Sequence, residues 1–245
     1  YCVKNNQPAI GITDTNNLFG ALEFSLKMVS FGIQPIIGIQ VNIGQKGIEN
    51  REIGEVVLIA KNEIGYQNLL YLNNGMSSDN GYYKYLDLNE LEKYNEGLIL
   101  LTGGVENGFL GKPASLNNKD IVNERIKFLK KIFNNNLYIE IQRHGIRSQV
   151  IAEKNLIEFA REHELPLVAT NDCFFDKEDK FEAHQVLTCI DKGLTVSSDK
   201  RRILTKEHYL KDPKKMISLF RDIPEAIENT VTIAKRCSFF VKTRN

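Results

Sequence analysis

Short apolar runs recur along the chain, and most are separated by stretches of helical periodicity. The first run, Ala9-Ile10-Gly11-Ile12-Thr13, ends at Asp14. Asn16 and Asn17 offer capping side chains, and 18–31 reads as a helix with Leu18, Leu22, Leu26 and Val29 on one face. Gly32 stands where a left-handed C-terminal residue is commonly needed. Strands are predicted at 35–41, 55–60, 98–102, 137–142 and 167–170. Helices are predicted at 65–72, 120–133 and 149–164, the last ending before Pro166. The stretch 73–85 is rich in Asn, Gly, Ser and Tyr and predicts a surface loop.

Alternating strands and helices from 9 to 171 predict an α/β fold with a parallel sheet or barrel and helices outside. Several strands are unbroken apolar runs, as expected where both sheet faces are buried. Polar residues cluster just past their C-terminal ends: Asp14, Gln40, Gln142, Asn171 and Asp172. In a parallel barrel that end is where a site is built. Beyond Asp176 the strand signal stops, and helices are predicted at 181–190, 213–220 and 224–236. The expected organisation is a barrel over 1–176 and a helical extension over 177–245.

Composition narrows the function classes. The 245 residues are 42% hydrophobic and 26% charged, the balance of a folded globular chain. Thirty-two Lys and Arg meet 31 Asp and Glu, so no global basic field recruits nucleic acid. The most basic stretch, 192–221, holds nine basic side chains against four acidic ones when Asp222 just after it is included, and is weighed as a phosphate-facing edge or an ordinary solvated face, the second favoured. No apolar run approaches the roughly 20 residues that span a bilayer. Tyr1-Cys2-Val3-Lys4 has no signal-peptide character and no initiator Met, as expected of a piece of a longer chain. Cys2, Cys173, Cys189 and Cys237 form no CxxC pair, so the expected compartment is the reduced cytoplasm.

Asp14, His144 and Asp172 are the ionisable residues best placed at strand ends for zinc or manganese, but three scattered residues make a thin ligand set. His163 and His208 are expected at the surface, and His184, near a helix start, in packing or a hydrogen bond. Cys173 has no His beside it in sequence and is expected to be a partly buried structural thiol. Gly103-Gly104, with Gly108 and Gly111, matches no phosphate-loop spacing and reads as a tight turn.

Six segments carry a family resemblance. Ala9-Ile10-Gly11-Ile12-Thr13-Asp14 with Asn17 and Phe19-Gly20 resembles "AITDHGN-FG". Gly32 to Gly38 resembles "GIKPIIG", and Gly65-Tyr66-Gln67-Asn68-Leu69 resembles "GYxNL". Glu96 to Gly103 resembles "EGLIxLSG", and Val168 to Asp172 resembles "VATND" with Ala183-His184 after it. Pro224-Glu225-Ala226 to Cys237 resembles "PEAxxNTxxIAxRC". Together they resemble the PHP (polymerase and histidinol phosphatase) domain, in the form that opens the alpha subunit of bacterial replicative DNA polymerase III.

The resemblance implies a distorted (β/α)7 barrel whose active members bind metals at the strand ends. Position by position, this chain has Thr15 for a His, Gln40 for a Glu, Glu55 for a His, Gly104 for a Cys or His, and Phe174 for a His. Only Asp172 matches a family ligand, while His144 matches a His that is not a core ligand there. The family's upstream "HxH"-like segment does not occur in these residues. Phe and Gly offer a metal no side-chain donor, and neutral Gln is a poor substitute for carboxylate. The expectation is a degenerate barrel with no metal and no catalytic residue in these 245 residues. The parent would be a DNA-directed DNA polymerase with Mg²⁺ in its palm domain. Its partners would be the other polymerase III subunits, notably the proofreading exonuclease, and primer–template DNA. A stand-alone PHP phosphoesterase is the alternative.

Overall fold

The computed structural model describes residues 1–44, 54–79, 83–196, 198 and 204–243. In chain order the elements are β1 (Ala9–Ile12), α1 (Ala21–Ser30), β2 (Gln34–Gly44), β3 (Gly54–Ala60), α2 (Glu63–Asn74), β4 (Ser77–Asp79) and β5 (Tyr83–Asp87). Then come α3 (Leu88–Lys93), β6 (Leu98–Leu101), α4 (Gly111–Ser115), α5 (Lys119–Phe133), β7 (Leu137–Gln142), α6 (Arg147–Glu162) and β8 (Leu167–Thr170). Three helices close the chain: α7 (Phe181–Asp191), α8 (Pro213–Leu219) and α9 (Pro224–Arg236).

The strands form one curled sheet in the order β4-β5-β2-β3-β6-β7-β8, with β1 paired to the first part of β2. The β1–β2, β2–β5, β6–β7 and β7–β8 pairs are parallel. β3 runs antiparallel to both β2 and β6, so the barrel is mixed where the pattern predicts an all-parallel one. The cause is connectivity. Residues 45–53 alone join β2 to β3, and a parallel pairing needs a crossover of a dozen or more residues.

Apolar side chains leave the sheet on both faces. Ile39, Val41, Val56, Leu58, Leu100 and Ile139 face the helices and form the main core with Val122, Ile126, Leu129 and Phe133 of α5 and Leu156 and Phe159 of α6. The α5 residues recur every three to four positions, and Asn118 caps the helix through Ile121 N–H. The alternate residues Val57, Ile59, Ile99, Leu101, Tyr138 and Val168 face the barrel interior. Ile233 and Cys237, at the C-terminal end of α9, complete this inner cluster.

The helical extension therefore shares its packing with the barrel. Phe220, Ile223 and Ala226 belong to the main core. Asn229 Nδ2 donates to the Leu167 carbonyl (2.8 Å). Arg143, just past β7, reaches Glu153 of α6 (2.7 Å), Asp222 (2.7 Å) and the Leu219 carbonyl (2.6 Å), and lies over the Phe220 ring. These donors to carboxylates hold its guanidinium firmly protonated, above the usual arginine range.

Two local expectations are corrected. The stretch 73–85 is no loop: β4 and β5 pair antiparallel, and β5 buries Tyr85 and Leu86 and joins the end of β2. Residues 80–82 lie outside the described residues. α1 begins at Ala21 behind Gly20, without an Asn cap, and Asn17 instead closes a turn through Phe19 N–H. Its Leu22, Leu26 and Val29 are 40%, 45% and 42% exposed. The buried face is Ala21 and Ser25, whose small side chains admit Ile37 and the incoming tail at Val241. Gly32 does take the left-handed conformation (φ 69°) that ends the helix.

Candidate functional site

The inner barrel face changes character along its length. Toward the C-termini of the parallel strands, and the N-terminus of antiparallel β3, its apolar side chains give way to Gln40, Glu55, Glu140, Gln142 and Thr170, which share by alternation the inward face of Val57, Tyr138 and Val168. This polar mouth is where the sequence places its site.

On one side, Thr15 bridges to Gln40, and the Gln40 backbone is held by Asp14 O and Asn16 N–H (3.1 and 2.9 Å). Gln40 Nε2 donates to Glu55 Oε2 (3.0 Å). Thr15 and Asp14 are exposed, and Gln40 and Glu55 are half-buried. The backbone of Glu55 is paired with the turn after β6, accepting from Phe109 N–H and donating to the Asn107 carbonyl.

On the other side, Glu140 is 4% exposed. Its carboxylate accepts from Gly103 N–H (3.0 Å), Gln142 Nε2 (3.0 Å) and the Thr170 hydroxyl. Burial pushes this carboxyl above the usual range; the Thr170 and Gln142 donors pull it back, and the charge of Asp172 adds to the rise. Gly103 (φ 81°) makes the tight turn expected at the end of β6. At Gly104, where the resemblance leads one to expect a Cys or His, a Cβ would stand 2.6 Å from Gln142 Oε1, so a neighbouring side chain fills that space.

Beyond β8 lies an aromatic cluster. Phe174 packs against His184 and His208 (centroids 5.7 and 5.9 Å apart), and its N–H donates to the His208 carbonyl. His208 is 3% exposed and stacks on buried His144 at 4.0 Å, which corrects the surface placement expected for it. The 204–211 segment lies along residues 171–175 just past β8, where Phe175 and Tyr209 form a parallel bridge. The His144 tautomer follows from its partners. Gln149 Oε1 takes the His144 N–H (2.7 Å), so Gln149 Nε2 faces and donates to Nδ1 (2.9 Å). The ring proton therefore sits on Nε2, directed at Asn171 Oδ1 (3.2 Å). Both nitrogens are committed to neighbours in the neutral ring.

Lys211 is buried beside the same Asn171 oxygen (3.0 Å), and burial draws its pKa down while Glu207 opposes the shift. Its burial departs from the solvated face expected of the basic stretch, whereas Lys206, Lys214, Lys215 and Arg221 are exposed. Asp199, Lys200, Arg201 and Arg202 lie outside the described residues. His163 is half-buried, bonded to Asn123 (2.7 Å), and burial lowers its pKa. Cys173 is exposed rather than partly buried, and its thiol is directed at the Phe175 carbonyl (3.4 Å). His184 packs between Phe174 and Phe175, as its helix-start position suggests.

The donor set at the mouth does not fit a hydrolytic metal cluster. Among the described residues no group of three or more His, Cys, Asp and Glu side chains is arranged to hold a metal ion. Glu140 is engaged by three donors, Gln142 stands in the Gly104 space, and Phe174 presents a ring. Glu140 is the residue that the motif reading missed. Its signal was available: one acid inside the apolar strand Leu137-Tyr138-Ile139-Glu140-Ile141-Gln142, on the same face as Gln142.

A curled sheet with a polar mouth at its strand ends defines a class. Residues 1–144 match the PHP domain model, and the chain belongs to the PHP domain family. Over almost its whole length it is similar to DNA polymerase III subunit alpha proteins. That of Borreliella burgdorferi is 37% identical over 246 residues, 97% of this chain and 21% of the relative. That of Caulobacter vibrioides is 38% identical over 257 residues, again 97% and 21%. That of Rickettsia bellii is 39% identical over 237 residues, 96% and 20%. The chain thus spans about a fifth of the length of these relatives. No helix among the described residues is long and apolar enough to cross a membrane.

Proposed function

We propose that this chain is the PHP region, with the start of the following helical region, of a replicative DNA polymerase III alpha subunit, and that its barrel is a scaffold. The similarity across 97% of the chain supports the parentage. The observation that carries the scaffold reading is the replacement of ligand chemistry at Thr15, Gln40, Gly104 and Phe174. The parent extends DNA with deoxynucleoside triphosphates in the bacterial cytoplasm, using Mg²⁺ held by palm carboxylates outside these residues. The barrel positions the rest of the polymerase and offers a docking face to the proofreading exonuclease subunit. Alone, these residues neither extend a primer nor hydrolyse phosphoesters.

Metal analysis and turnover assays on the purified protein test this. The expected results are less than one equivalent of zinc or manganese and no metal-dependent phosphoester turnover. Turnover that survives repurification and disappears in Asp172→Asn overturns the scaffold reading in favour of a stand-alone PHP phosphoesterase. Failure of the exonuclease subunit to co-purify with the full-length parent overturns the docking reading only.

A further inference from the structure

The mouth does more than lack ligands. The Glu140 N–H donates to Thr102 Oγ1 past the end of β6 (3.0 Å), and its carboxylate accepts from the next residue, Gly103. The same carboxylate takes the Thr170 hydroxyl at the end of β8, and Gln142 Nε2 reaches both Glu140 and Thr170. One buried side chain therefore ties the ends of three consecutive parallel strands. Gly103 is itself pressed on β3, where a Cβ would lie 2.2 Å from the Glu55 carbonyl, and Glu55 holds Gln40 of β2. The connections run from β2 to β8 through side chains and main-chain amides.

A metal cluster would join strand ends by drawing several acceptors to one cation. Without a cation, a buried carboxylate must find donors or lose stability. Three donors converge on Glu140, one of them a main-chain N–H in a left-handed turn.

We propose that this hydrogen-bonded set is a structural replacement for a metal centre, with Glu140 as the positioning residue that pins β6, β7 and β8 and Gln142 as the filler of the vacated ligand space. The proposal rests on the scaffold reading above. It assigns the mouth a definite task, holding the strand ends rigid under the 204–211 segment.

Amide hydrogen exchange on the whole chain tests it. Glu140→Ala is expected to speed exchange at the amides of Gly103 and of position 140 by at least about tenfold, while Val56 to Ile59 of β3 change by less than about twofold. Should that variant fail to fold, Thr170→Val removes one of the three donors to Glu140, together with one acceptor of Gln142, and is expected to speed exchange at Gly103 by about threefold. Unchanged exchange at Gly103 in both variants, or a uniform rise across the molecule, overturns the pin. Zinc or manganese that slows exchange at these amides in the unaltered protein overturns the scaffold reading instead, so the two failures are separable.

Discussion

The two ends of the barrel interior are held by different forces. The lower part is an apolar cluster of Ile59, Ile99, Tyr138 and Val168, sealed by Ile233 of α9 and Cys237 just past its end. Burial there pushes the Cys237 thiol up to about 11, the mark of an apolar setting. The upper part is a set of paired polar side chains around Glu55 and Glu140. The lower end tolerates repacking by volume, because apolar contacts are non-directional. The upper end is directional, so each donor or acceptor removed leaves another unsatisfied. Buried polar groups at such a mouth cannot be left unpaired. They must satisfy one another.

The largest effect is expected at the lower end. Ile99→Ala empties a fully buried position in the inner cluster and should cost about 3–4 kcal/mol, read from denaturant unfolding. A loss below about 1 kcal/mol would mean that the inner cluster is not a packed core. At the upper rim, Arg143→Ala leaves Glu153 and the Leu219 carbonyl without their charged donor. Because Asp222 is largely exposed, the expected cost is discounted to about 2–3 kcal/mol. A loss of the same size in Asp222→Ala alone would contradict that discount.

Asp172→Ala, next in size, should cost about 1–3 kcal/mol through donors left unsatisfied, and an unchanged unfolding midpoint would place Asp172 outside the structural set. The smallest effect is a slope. The Glu140 carboxyl is raised in the folded state, so its contribution is fully present below the unfolded pKa and is lost as pH rises through the folded value. Relative to Glu140→Gln, the unaltered protein should therefore lose stability as pH climbs from the ordinary glutamate range, by at most about 1.4 kcal/mol per pH unit. Parallel stability curves for the two proteins would show that Glu140 keeps an ordinary pKa.

Much of this arrangement was legible in the sequence, and the failures are informative. The inward and outward strand positions could be read by alternation, and Gly103 by its place after Leu98 to Leu101. The direction of β3 was also available, since no helix pattern separates it from β2. The outward apolar face of α1 was not, because Ala21 and Ser25 are chosen by the tail that packs on them from more than 200 residues away. Periodicity finds the most apolar face of a helix, whereas tertiary packing here selects the smallest. His208 was misplaced for a similar reason: its burial depends on His144 and Phe174, which are distant in sequence.

The tail has a kinetic consequence. Val241 N–H bonds to Ser25 Oγ across 216 residues, Gln34 Nε2 reaches the Cys237 carbonyl across 203, and Tyr1 reaches Leu210 across 209. Such distant pairings delay folding, because loop closure must precede the contacts that reward it. During synthesis, β1, β2 and α1 leave the ribosome long before their partners on the tail exist. Until residue 241 has emerged, the underside of the barrel stays unsealed, with Ile36, Ile37 and Ala21 lacking their final neighbours. The nascent barrel thus carries an exposed apolar opening while the residues between β2 and the 241 segment are being made, the window in which chaperone capture or misassembly competes with closure.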